Sequence, residues 1–244
     1  MYLRQFVGKT NLTDYVSRVH GTSFERNDIP RSGIVASPHL SKIYLGYCLG
    51  LGDMIAGLSQ RIPDFPMGVR DIDVICRSVC PPDKWIYPFR GPLADRLSPL
   101  QGRFQVLLPG QRVPQSQYYA EMLRSRICVS PFGYGEICWR DYEAVLCGCL
   151  LVKPDMSHLR TEPDLFVPGD TYVPVQWDFC DLAETVARYL EDEAERRRIA
   201  RRAYDVLTAY FQNHGFIGNV RAMLERVGIL RRVSAVRDQT CRLG

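Results

Sequence analysis

Between residues 70 and 211 the chain alternates short apolar runs with amphipathic stretches, and that rhythm leaves few folds open. Residues 72–77, 104–108, 127–129, 150–153 and 171–175 have the length and apolar character of strands. Residues 92–100, 116–124, 136–147, 181–191, 193–211 and 217–230 read as helices, with Asp181 placed to cap one start and Gly148 to end another. Strand and helix in turn imply crossover units, hence an α/β fold: a Rossmann-like, mainly parallel sheet with helices on both faces. In such a sheet a ligand binds beyond the carboxyl ends of the strands, so the loops there are where function is expected.

The 244 residues are 46% hydrophobic, enough for one large core or two small ones. Three regions follow. Residues 1–65 form an N-terminal region, with loop signals over 21–38, a glycine-interrupted apolar stretch over 41–59 that suits either a weak helix or a connector, and a boundary at Pro63 and Pro66. Residues 66–230 form the α/β domain, and 231–244 a flexible tail. The formal charge of +4 is mild and does not argue for nucleic acid. The charge run at 193–202 is diluted by Glu191, Asp192, Glu193 and Glu195 and reads as a solvated helix face. No run of 18 apolar residues occurs, so no membrane span is expected. The first ten residues, with Arg4, Gln5 and Lys9, lack a secretory pattern, so a cytoplasmic location is expected. The nine cysteines include no C-x-x-C pair and the four histidines are scattered; free thiols are expected at Cys76, Cys80, Cys128, Cys138, Cys147 and Cys149, and no metal site.

The segment RICVSPFGYGEICWRDYEAVLCGCLLVKPD at 126–155 carries the most chemistry. A strand ends at Val129, a loop holds Gly133, Tyr134 and Gly135, and a helix is expected from Glu136. Glycine lets backbone N–H groups approach a ligand closely, and a helix start offers unpaired donors and a positive dipole end, which together suit a phosphate. Within a helix, Glu136, Arg140 and Glu143 stand at i, i+4 and i+7 and fall within about 60° of one another. Carboxylates on that stripe accept from sugar or ribose hydroxyls, and a guanidinium clamps phosphate. A solvated face tied by its own ion pairs would show the same stripe.

On these residues (Pro131, Gly133, Gly135, Glu136, Arg140, Glu143, Ala144, Gly148 and the run 150–153) the sequence resembles the donor-binding region of GT-B glycosyltransferases. The likeness is nearest to the group 1 glycosyltransferases and extends secondarily to the exostosin family. It continues less strictly over FVPGDTYVPVQWD at 166–178 and back to about Arg70. The resemblance implies the C-terminal half of a two-domain enzyme that transfers a sugar from a nucleotide-diphosphate sugar to an acceptor of unknown kind (glycan, lipid or protein). It implies Glu136 and Glu143 on the sugar and ribose, Arg140 on the diphosphate, no cofactor beyond the donor, and no bound metal. Six residues separate the two acids, one fewer than is common in that family. A region of 65 residues is short for a first Rossmann half, so a reduced or partial acceptor side is expected.

Three further residues stand at expected strand ends. Arg90, after Trp85, Tyr87 and Pro88, either reaches the pyrophosphate or is a surface arginine. Lys153, followed by Asp155 and His158, is a candidate phosphate partner. Thr171 and Tyr172 either meet the nucleotide or belong to the core. The catalytic set expected is therefore Arg140, Glu136 and Lys153; the donor-binding set is Gly133, Tyr134, Gly135, Glu136, Arg140, Glu143, Arg90 and Thr171. Two other readings fit the same residues: a non-catalytic nucleotide- or sugar-binding module, and half of a transferase whose other half comes from elsewhere.

Overall fold

The computed structural model describes residues 53–78, 90–110, 112–133, 136–157, 159, 161–226 and 228. Tyr134, Gly135, His158, Cys80 and the rest of residues 79–89, most of the N-terminal region and residues 231–244 lie outside them.

Five strands form one sheet: β1 (Ile72–Ile75), β2 (Val106–Leu107), β3 (Ser125–Val129), β4 (Leu150–Pro154) and β5 (Val173–Val175). Every pairing is parallel and the order is β2-β1-β3-β4-β5. Around them lie α1 (Asp53–Arg61), α2 (Leu93–Leu97), α3 (Gln115–Leu123), α4 (Trp139–Leu146), α5 (Leu182–Glu191), α6 (Glu193–Gln212) and α7 (Gly215–Arg226). The fold is the Rossmann-like α/β sheet that the sequence implies.

Alternation along the strands sorts side chains into two cores. Val74, Ile127, Val129, Leu150 and Val152 face α2, α5 and the start of α6. Ile75, Cys128 and Leu151 face the other way, toward α1, α3, α4 and the later turns of α6. Strands covered on both faces must be apolar nearly throughout, which is why β1, β3 and β4 read as continuous runs. Helix α5 buries Leu182, Val186, Tyr189 and Leu190, the spacing of a single apolar stripe. Helix α1 buries Ile55 and Leu58 in the α4-side core, so residues from Asp53 onward share a body with the sheet.

Two helix ends differ from expectation in instructive ways. Helix α4 begins at Trp139, three residues later than the glycine loop suggests. Cys138 is extended (φ −119°, ψ 154°), and the Asp141 carboxylate accepts from the Cys138 N–H at 2.9 Å, which fixes the start there. Asp181 does stand ahead of α5, but its carboxylate accepts from the Gln176 N–H at 2.9 Å rather than from the helix. Gly148 ends α4 as expected. At φ +71° its N–H reaches the Val145 carbonyl and the Cys149 N–H reaches Ala144, both at 2.9 Å, a Schellman turn.

Candidate active site at the β1/β3 crevice

In the order 2-1-3-4-5 the chain leaves β1 in one direction to reach β2 and later inserts β3 on the other side. The loops after β1 and β3 therefore diverge, and the crevice between them is the ligand position such sheets favour. Of the expected site residues, Arg140, Arg90, Gly133 and Glu136 lie on that side.

Arg140 sits in the first turn of α4, directed into that crevice. Its Nε and Nη1 are buried and make no hydrogen bond among the described residues. Burial acts against its charge; the groups facing it, the Tyr118 phenol and the thiols of Cys138, Cys128 and Cys76, act the other way and hold its pKa above the ordinary arginine value. None of the four ionises near neutrality. Burial pushes the Cys76 thiol up to about 12, against the pull of Arg140 and Arg90, and raises Cys128 and Cys138 as well. Burial and then the neighbouring Glu143 carboxylate raise Tyr118. A guanidinium whose nearest neighbours are neutral is unusual, because an uncompensated buried charge is costly.

Arg90, a helical residue one turn ahead of α2 where the sequence suggested a loop, comes to the same place. Its Nε donates to the Phe132 carbonyl at 2.9 Å, which joins the β1 and β3 loops across the crevice. Phe132 stacks edge-on against Trp177 at 5.2 Å, and the Trp177 indole donates to the Asp155 carbonyl at 3.0 Å. Gly133 is buried beside them, and Glu136 is 6% exposed in the loop ahead of α4. Glu136 is thus off the helix, and the three-residue stripe is divided between a loop and a helix.

Lys153, Glu143 and Thr171 occupy places other than those expected. Lys153 has no exposed side-chain surface; its Nζ donates to Asp141 Oδ2 at 2.6 Å and to the Glu136 carbonyl at 2.7 Å. The same ammonium lies 4.9 Å from the Phe166 ring centre and 5.7 Å from that of Phe132. It holds the loop from below and is sealed from any ligand. Both Glu143 oxygens accept phenol hydroxyls, from Tyr118 and Tyr119, each at 2.8 Å. Glu143 ties α3 to α4, and a ribose would have to compete with two phenols for it. The Thr171 hydroxyl donates to the Leu165 carbonyl at 2.6 Å and accepts from the Val167 N–H at 2.9 Å, closing the turn before β5.

Sequence reasoning missed Asp141, which joins three parts of the site. It caps α4, pairs with Lys153 and accepts from the Ser130 hydroxyl at 2.6 Å, with no exposed side-chain surface. Its signal was the spacing Cys138-x-x-Asp141 at a helix start, hidden because the helix was expected to begin at Glu136. Tyr118 and Tyr119 were legible only as part of the helix expected over 116–124.

The family model described as glycosyl transferase-like matches residues 92–221, more than half of the chain, and spans α2, β3, α4, β4 and most of the helices after them. The chain belongs to that glycosyl transferase-like family. Among curated proteins none matches it in sequence. Three solved structures resemble this transferase-family chain. TarM is 10% identical, with a TM-score of 0.45 over 66% of this chain and 36% of that one. The C-terminal domain of a group 1 family glycosyl transferase (LpcC) from Francisella tularensis is 15% identical, with a TM-score of 0.42 over 70% and 89%. Anabaena HepE, solved in complex with UDP-glucose, is 16% identical, with a TM-score of 0.40 over 74% and 52%. The glycosyl transferase-like chain thus spans about a third of the TarM chain and about half of HepE. No helix among its described residues is long and apolar enough to cross a membrane.

Proposed function

We propose that this chain binds a nucleotide-diphosphate sugar in the β1/β3 crevice and transfers the sugar to an acceptor. The observation that carries the reading is the Arg140 guanidinium, buried at the crevice with Nε and Nη1 unbonded and neutral groups around it. A diphosphate would supply the missing counter-charge and acceptors, and Arg140 would stabilise the charge that grows on it as the sugar departs. Arg90 adds a second cation on the opposite lip. Glu136, in the loop ahead of α4, is the carboxylate assigned to the sugar hydroxyls; Gly133 lets the loop approach the phosphates. Lys153, Asp141 and Ser130 position that loop, and Glu143 positions the Tyr118–Tyr119 wall.

Calorimetry with UDP and GDP tests the reading. Binding is expected for one of them, with a loss of about tenfold or more in Arg140→Met, the effect of deleting charge-assisted hydrogen bonds. Folded protein that binds neither nucleotide at about millimolar concentration would overturn it. Because guanidinium groups supply the positive charge in this scheme, donor hydrolysis is expected to survive EDTA. Nucleotide binding without donor hydrolysis or transfer would instead favour a non-catalytic module.

A further inference from the structure

A second cavity lies at the opposite edge of the sheet, where the strands begin. It has a volume of about 160 Å³, and four of its walls are arginines: Arg70, Arg126, Arg196 and Arg197. Glu193 is the acid among its lining residues. The four cations come from three separate places: the segment before β1, the start of β3, and, for Arg196 and Arg197, the first turns of α6. The fold has therefore brought them together.

Their existing bonds show which are committed. Arg70 donates from Nη2 to the Cys147 carbonyl at 2.8 Å and from Nη1 to the Ser125 carbonyl, pinning the β3 start against the α4 end. Arg196 is buried, with Nη1 donating to the Tyr189 and Leu190 carbonyls at 3.0 and 3.1 Å. Arg126 pairs through Nη1 with Asp73 at 2.8 Å and donates from Nε to the Arg70 carbonyl at 3.2 Å. Arg197 is held loosely: Nη1 stands 3.4 Å from Glu193 Oε1, and Nη2 reaches only the Met67 sulfur, also at 3.4 Å. Glu193 is mostly exposed, and its contact with Arg196 is 3.8 Å. Burial lowers the Arg196 pKa, and Arg126 and Arg197 lower it further as like charges against the pull of Glu193 and Asp73. Two carboxylates, Asp73 and Glu193, face four guanidinium groups, and Glu193 is mostly exposed and makes the longer contacts.

We infer that this cavity binds a small phosphate-type oxyanion, which replaces Glu193 as counter-ion to Arg197 and Arg196 and adds a contact to Arg126, whose partner Asp73 stays in place. The anion would accept from the exposed faces of Arg126 and Arg197 while Glu193 swings into water. The site is distinct from the β1/β3 crevice, which lies at the other end of the strands.

Titration of the full chain with inorganic phosphate, at constant ionic strength so that general screening is unchanged, tests the assignment. A hexose 1-phosphate is run beside it; binding of either supports the site and shows whether its mouth admits a sugar. Arg197→Gln is expected to weaken phosphate about tenfold, the loss of one charge-assisted contact. Glu193→Gln is expected to tighten it about two- to fivefold, because a competing exposed ion pair is removed. Arg140→Met deletes anion binding at the front crevice, so affinity kept there and lost in Arg197→Gln assigns the phosphate to the rear cavity. Equal affinity in wild type, Arg197→Gln and Glu193→Gln, or no binding in wild type and Glu193→Gln at about 10 mM phosphate, would overturn the inference.

Discussion

At the scale of single residues, the molecule separates charges that hold the fold from charges held in reserve. Glu121 belongs to the first kind. Arg77 donates to both of its oxygens at 2.8 Å and Gln117 to one of them, and the Arg77 bonds hold its carboxyl below the ordinary 4.5. A carboxyl depressed in the folded state contributes stability that is whole above pH 4.5 and is lost as pH falls through its folded value. Melting temperature should therefore drop in acid, and Glu121→Gln should flatten that part of the curve while lowering stability at neutral pH. The thiols offer a second check. Cys76, Cys128, Cys147 and Cys149 are buried and their pKa values raised by burial, whereas Cys180 is exposed. Peptide mapping after mild alkylation should find Cys180 modified first of these five. It should react more slowly than a small free thiol, because the Asp178 carboxylate raises its pKa.

At the scale of elements, helix α4 with its two ends decides most of the site. Its start depends on a buried ion pair, and removing one partner of such a pair costs about 3–5 kcal/mol because the other charge is left buried. Lys153→Met should show that loss in denaturant unfolding, and adding Asp141→Asn should recover part of it. The end of α4 depends on Gly148. A Cβ there would stand 2.5 Å from Arg70 Nη2 and 3.2 Å from Pro66 Cδ, and Arg70 is pinned in place. Gly148→Ala should cost roughly 1–3 kcal/mol, the usual range for a residue forced into the left-handed region. The five strands and most helices were legible because parallel, doubly covered strands write themselves as unbroken apolar runs. The start of α4 was not. A glycine loop followed by Glu136 resembles a helix start, and only the tertiary link among Asp141, Lys153 and Ser130 moves it to Trp139. Lys153 misled for a related reason: its place at a strand end was read correctly, but nothing local shows that the strand end is roofed by Phe132, Phe166 and Glu136.

At the scale of the whole molecule, stability should be graded across the sheet. β3 lies at its centre with β1 and β4 beside it, whereas β2 is two residues long at one edge. Native-state hydrogen exchange should find the slowest amides in β3 and β4 and fast exchange in β2. A ligand at the crevice should raise the whole profile by mass action, about 2.7 kcal/mol at a hundredfold excess over its dissociation constant. The unbonded nitrogens of Arg140 carry this to a consequence for the empty protein. The chain holds a cation with two buried, unbonded nitrogens at its sheet mouth in advance of any guest, and its resting fold is expected to be weaker than it need be. Replacing that arginine with methionine should give an apoprotein roughly 1–3 kcal/mol sturdier, yet deaf to nucleotides.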